Sequence, residues 1–340
     1  APLFQTAGFN RDMCIIDLSV TYVFFYALPV GILLVFISPF FMSDYYGKRL
    51  KPNIINILIL VTLAVYLAFS SPLNPGILLI ISMLVILEAI RRHYKQYDHL
   101  NIIRAILDLP KLKLWILTLI VLLSLYSLFI GLNNELNNSN ILPLLERYLR
   151  LFKGLFVLIT TKLGFPVLFM VICINIILTA KTSMNPDVLK IFSLSKWLGI
   201  FSIAYIILLP LGGFRIYREN IIRYDTFLPV TICLFILFGF TSLYLLYNWQ
   251  GRKKYIYSVF MAGIVLFFSI ADNFQFANNS CERQAMKSMA ESSEQIVYLD
   301  LHCTIMSWKP IYDYRESSLN ATLLKYWNVT KEPRLYYQGK

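Results

Sequence analysis

Apolar residues in this chain come in long runs, not in alternation. Eight stretches, at about 19–41, 54–71, 77–90, 114–132, 164–180, 197–213, 228–247 and 257–271, are almost free of charge. An apolar run of roughly 18 or more residues is long enough to cross a bilayer as a helix. The third stretch is short, and a short span has to tilt little, thin the bilayer or lean on its neighbours. Pro29, Pro166 and Pro210 fall within spans or at their ends, where a kink is tolerated if neighbours satisfy the freed backbone. The pattern predicts an all-α polytopic membrane protein with about eight transmembrane helices over residues 19–271. Residues 1–18 form a segment before the first span and lack the basic start and apolar core of a signal peptide.

Between the spans the period changes to that of amphipathic helices. From Asn140-Ile141-Leu142-Pro143 onward, Ile141, Leu142, Leu145, Tyr148, Leu149 and Phe152 share one face. Glu146, Arg147, Arg150 and Lys153 share the other. Asn140 is expected as the cap and Pro143 in the first turn, with the helix lying in the membrane interface. A second such helix is expected over about 98–107. After residue 271 the runs stop, and residues 272–340 are polar and mixed. They read as a helix over 280–290, a strand over 296–301, a helix capped by Ser317 or Ser318 and running to Asn328, and a strand over 334–338. A strand–helix–strand order implies a parallel pair with a crossover. The tail is therefore expected to be a small C-terminal α/β extramembrane domain.

Composition agrees with a membrane location. Of 340 residues, 58% are hydrophobic and mean hydropathy is +0.63, above the usage of soluble domains. The net charge of +12 would suggest a nucleic-acid partner in a soluble protein. Here it follows the loops, and no nucleic-acid-binding pattern is present, so no nucleic acid is expected. The connections 42–53, 91–113, 181–196 and 248–256 hold fifteen Lys and Arg. The opposite set, 1–18, 72–76, 133–163 and 214–227, holds eight. The first set is expected in the cytoplasm and the N-terminal segment, residues 214–227 and the tail outside.

Cys173 and Cys233 fall in apolar runs and read as packing residues. Cys14, Cys281 and Cys303 lie outside the spans. Cys281 and Cys303 are separated by one helix and one strand, so they are either a disulfide or two buried thiols. No metal-ligand spacing is present among Cys and His, and no metal or cofactor is expected.

The densest polar stretch next to an apolar run is Leu208 to Pro229. It holds Arg215, Tyr217, Arg218, Glu219, Arg223, Tyr224 and Asp225, bent by Pro210, Gly212, Gly213 and Pro229. Arginine grips phosphate oxygens in planar, two-pronged geometry. A nearby carboxylate, Asp225 or Glu219, can act as general base on an acceptor hydroxyl. Arg147 and Arg150 on the interfacial helix meet the same membrane face. Each of these residues could equally serve as an interfacial anchor to lipid headgroups. Inside the spans ionisable groups are rare. Glu88, three residues before Arg91, can pair with it or reach water, so no proton relay is apparent.

Two stretches carry a family resemblance. Leu209-Pro210-Leu211-Gly212-Gly213 through Asp225-Thr226, and the tail with Ser307-Trp308 and Leu323-Leu324-Lys325-Tyr326-Trp327, give an architecture that resembles integral-membrane glycosyltransferases of the GT-C type. It is closest to Bacteroidota-like membrane proteins of surface-polysaccharide synthesis. The resemblance implies a polyprenyl-phosphate-linked sugar as partner, in the bacterial inner membrane, with the tail periplasmic. GT-C enzymes carry a catalytic carboxylate in a large outward loop after the first span. Here that loop, with Asp44, is short and reads as cytoplasmic, so no catalytic residue is carried over. The alternatives are a transporter of lipid-linked glycan and a structural subunit of an envelope complex.

Overall fold

The computed structural model describes residues 23–48, 53–97, 101–133, 142–161, 163–182, 184–212, 220–271, 278–307 and 309–339. The chain divides into two compact units, Ala1–Asp272 and Asn273–Lys340.

The first unit is helical. A π-helical turn, Val23–Ala27, leads into α1 (Leu28–Tyr46). Then come α2 (Ile54–Phe69), α3 (Asn74–Tyr97), the short α4 (Ile102–Leu107) and α5 (Lys111–Leu132). Next are α6 (Leu144–Thr160), α7 (Gly164–Ala180) and α8 (Pro186–Leu208), which ends in a 3-10 turn, Leu209–Gly212. Two more helices, α9 (Tyr224–Asn248) and α10 (Gly251–Ile270), complete the unit. Among the described residues, six helical stretches are long and apolar enough to cross a membrane: Val23–Tyr46, α3, α5, Pro186–Gly212, Asp225–Asn248 and α10. The pair α6 and α7, which meet at 81°, raises this to seven if the two make one broken span. The chain is thus an all-α polytopic protein by length and composition. Helix α2, at 16 residues, is shorter than these.

Local sequence explains where the helices run. Helix α3 extends well past its apolar run because Glu88 bonds both Arg91, at 2.8 Å, and Arg92, at 2.9 Å. Pairs at these spacings stabilise a helix and carry it into the polar region. Asn101 caps α4 by accepting the Arg104 N–H at 3.0 Å. Asn185 caps α8 the same way through Val188 N–H at 2.9 Å, with Pro186 in the first turn. Helix α6 begins after Pro143, later than expected, and Asn140 lies outside the described residues. Pro229 sits inside α9, where its missing N–H removes one rung of the ladder.

Packing forms a large apolar core and a separate small cluster of Val188, Ile191, Tyr244, Leu245 and Tyr257. Helix α5 packs against both α2 and α3, and α7 against α9, while α8 touches both α3 and α9 and joins the two groups. Fully buried side chains of this core include Leu67, Ile77, Leu168 and Phe268. Many outward side chains are equally apolar, among them Leu58, Trp115, Leu122, Phe129 and Ile270. Exposed apolar surface on this scale is what lipid covers.

A polar hub ties three helices together. Asn175 of α7 is fully buried. Its amide donates to Thr241 Oγ1 at 3.2 Å and Ser242 Oγ at 2.9 Å, both on α9. Its carbonyl oxygen accepts from the Tyr257 hydroxyl of α10 at 2.9 Å. Nearer the helix ends, the Tyr244 hydroxyl meets Thr182 and Asn185, each at 3.2 Å. In an apolar surrounding such bonds fix which helices associate.

The second unit contains α11 (Asn278–Glu291), β1 (Ile296–Leu299), a 3-10 turn (Tyr314–Ser317), α12 (Ser318–Tyr326) and β2 (Leu335–Gln338). The strands pair in parallel, with Ile296 beside Leu335 and Leu299 beside Gln338. Val297, Leu299, Ile305, Leu324, Tyr336 and Met289 make a small core. Tyr336 is fully buried. Its hydroxyl donates to Ile305 O at 2.6 Å and accepts from Asn320 at 2.9 Å. Burial pushes its phenol pKa up, because the charged form would lose solvent. Cys281 and Cys303 are joined by a disulfide with Cα atoms 6.2 Å apart. Ser317 does not cap α12 with its side chain, because its hydroxyl is bound instead to Tyr314 O and Tyr336 N–H.

Candidate functional site

The site is built where α8 ends, α9 begins and α6 crosses. Chain ends of helices leave unpaired carbonyls and N–H groups, so polar side chains collect there. Arg147 of α6 donates to Leu142 O at 2.9 Å and to Pro210 O at 3.3 Å. Tyr148 donates to Ile207 O at 3.0 Å. Both side chains thus close carbonyls at the C-terminal end of α8, where a cation is favoured. Arg147 is therefore spent on tying two helices together.

Helix α6 packs through one side and leaves the expected apolar stripe uncovered. Its packed stripe is Leu151, Gly154 and Leu158, and Leu145, Leu149 and Phe152 are exposed. Gly154 explains the orientation. A Cβ there would lie 2.7 Å from the backbone oxygen of Ile222 and 3.1 Å from Asn220. Only a residue without a side chain lets the segment 220–222 lie this close, and Ile221 and Ile222 are buried beneath it.

The start of α9 is held by a closed set of bonds. Arg223 N–H donates to Thr226 Oγ1 at 2.9 Å. The Thr226 hydroxyl reaches back to Ile221 O at 3.1 Å. Tyr205 of α8 donates to Thr226 O at 2.8 Å. Asp225 is 1% exposed. One of its oxygens accepts the Thr226 N–H at 2.9 Å, and the other is ion-paired with Arg223. A carboxylate in the first turn also meets the positive end of the helix dipole. Asp225 is consequently an anchored anion that orients Arg223. The Arg223 side chain is 32% exposed. Its Nε, like Asn220 Oδ1, is buried and has no hydrogen-bond partner among the described residues.

A second polar group lies on α6. Glu146, Leu149, Arg150 and Lys153 share one open face of the helix. Arg150 is bonded to Glu146 at 2.9 Å. Among the described residues no cluster of three His, Cys, Asp or Glu could hold a metal ion.

Of the residues expected at the site, Arg223 and Asp225 are in contact, and Arg147 and Arg150 follow each other on α6. Arg215, Tyr217, Arg218 and Glu219 lie outside the described residues. Sequence reasoning missed Tyr205, Thr226, Tyr148 and Gly154. A signal for Thr226 was present, since a hydroxyl three residues after a helix start can receive the cap N–H. Gly154 interrupts an otherwise bulky helix, which was also visible. Nothing in the sequence marks Tyr205 or Tyr148 as a clamp.

No protein-family model, curated protein or solved structure matches this chain.

Proposed function

We propose that the chain is a membrane protein that binds a phosphate-bearing, lipid-linked sugar at the bilayer surface and acts on it as a glycosyltransferase of GT-C character. The observation that carries this reading is Arg223. Asp225 holds one nitrogen of its guanidinium, and the side chain keeps 32% of its surface exposed. A guanidinium oriented by a carboxylate on one side can grip a phosphate oxygen with its exposed edge through charge-assisted bonds. Arg150 and Lys153 on the open face of α6, with Arg215, Tyr217 and Arg218, supply the remaining contacts. In the reaction a carboxylate takes the proton of an acceptor hydroxyl as its oxygen bonds the sugar's anomeric carbon, and the polyprenyl phosphate leaves with the bonding pair. Glu219 fits the base role better than Asp225, whose oxygens are both engaged.

In this reading α2 and α7 also cross the bilayer, giving eight spans. The charge bias of the loops favours residues 214–227 and the tail outside, in the periplasm of a bacterial inner membrane. The Cys281–Cys303 disulfide supports an oxidising compartment for the tail.

The test is binding of a polyprenyl-phosphate probe to the protein in lipid nanodiscs. Arg223→Ala and Arg218→Ala should each weaken binding by roughly tenfold or more. Arg223→Lys should recover only part of it, because lysine lacks the planar fork. Unchanged binding with both arginines replaced would reduce the stretch to anchoring.

A further inference from the structure

The two edges of the tail's sheet are treated differently by the fold. On β2 the outer edge is closed. Tyr336 N–H donates to Ser317 Oγ at 2.9 Å, and Gln338 N–H donates to Ile311 O at 2.7 Å. Ile311 N–H in turn donates to the Gln338 side chain at 3.1 Å. On β1 the outer edge carries no hydrogen bond among the described residues. Leu335 N–H donates to Gln295 O at 2.9 Å, so the alternation of a strand points the backbone groups of Gln295, Val297 and Leu299 toward β2. The N–H and C=O of Ile296 and Tyr298 then point the other way. Among the described residues nothing accepts or donates to them there.

The side chains at this edge are also uncovered. Val297 and Leu299 face the core, while Ile296 is 38% and Tyr298 52% exposed. The Tyr298 ring lies 5.3 Å from that of Tyr337 on the neighbouring strand and extends the apolar face. A short parallel pair with one aromatic face and one edge open is unusual, since parallel strands are ordinarily covered on both faces. Charge frames the opening. Glu294 and Asp300 flank the strand, both exposed, and neither is in an ion pair among the described residues.

We propose that the β1 edge is a docking site for an extended peptide segment, which adds as a third strand. The segment carries two apolar residues at alternate positions, flanked by Lys or Arg. Backbone groups of Ile296 and Tyr298 supply the ladder bonds, the Ile296–Tyr298 face packs the apolar pair, and Glu294 and Asp300 meet the basic flanks. A second copy of the chain fits poorly. Pairing two β1 edges antiparallel, with Ile296 opposite Tyr298, would set Glu294 opposite Asp300 at both ends, and like charges facing each other are unfavourable.

The experiment uses the full chain in detergent and fluorescence anisotropy of a labelled peptide, Lys-Thr-Val-Thr-Val-Thr-Lys. Wild-type protein should bind it and bind its Glu-flanked counterpart about tenfold more weakly. The Glu294→Lys, Asp300→Lys double variant should reverse that preference, with the tail's fold verified by an intact Cys281–Cys303 bond. Methylating alternate backbone nitrogens of the peptide, in either register, should abolish binding in one register and spare it in the other. No binding of the basic peptide to wild-type protein, equal binding of both peptides, or indifference to methylation in both registers overturns the proposal. Self-association of the wild-type chain that the double variant changes would assign the edge to a second copy, and overturns it as well.

Discussion

Gly154 shows how one missing side chain sets the geometry of a site. It lets the Asn220–Ile222 backbone press against α6, the same helix whose Arg147 and Tyr148 reach the end of α8. Gly154→Ala places a methyl group against a backbone oxygen, which cannot rotate away as a side chain could. Overpacking of this kind costs about 1–3 kcal/mol. The variant should unfold earlier than wild type in a thermal scan in detergent, and an unchanged midpoint would mean that residues 220–222 yield without cost. Asp225 makes the complementary point. A carboxylate beside three arginines reads in sequence as a base, because residue type and spacing carry no information on exposure. Its burial comes from Tyr205 and Thr226, which pin the first turn of α9 to α8.

At the scale of elements, the Asn175 hub is the test of what joins α7, α9 and α10. Side-chain bonds between membrane helices average about 0.6 kcal/mol each. Asn175 makes three, to Thr241, Ser242 and Tyr257, so Asn175→Leu should cost about 2 kcal/mol. Tyr257→Phe, which removes one bond, should cost well under half of that. Both are read from denaturant unfolding in mixed micelles, and equal effects would show that the hub is not additive. Helix existence was legible in the sequence, since apolar run length decides it. Helix ends were less so: Glu88, Arg91 and Arg92 look like the close of a span but continue α3 through their own pairing. The period of α6 marks Leu145, Leu149 and Phe152 as one stripe, and all three are exposed; what its other side packs against was not legible, because Gly154 alone marks the close approach.

For the whole molecule, the question is which side each part occupies. The loop charge predicts that residues 248–256 and the tail lie on opposite sides. Lys253→Cys and Lys331→Cys, each in a background with Cys14, Cys173 and Cys233 replaced, should react with a membrane-impermeant thiol reagent from opposite sides of sealed vesicles. Labelling of both from one side would overturn the arrangement. Pro229 bears on how the two ends of α9 are held. Without an N–H at that position, the Asp225 carbonyl has no partner in the ladder of α9. The first turn is held by Thr226 and Tyr205, and the rest of the helix by its own rungs and the Asn175 hub. The turn that carries Arg223 and the body of α9 are therefore anchored by separate sets of contacts, with Pro229 at the seam between them.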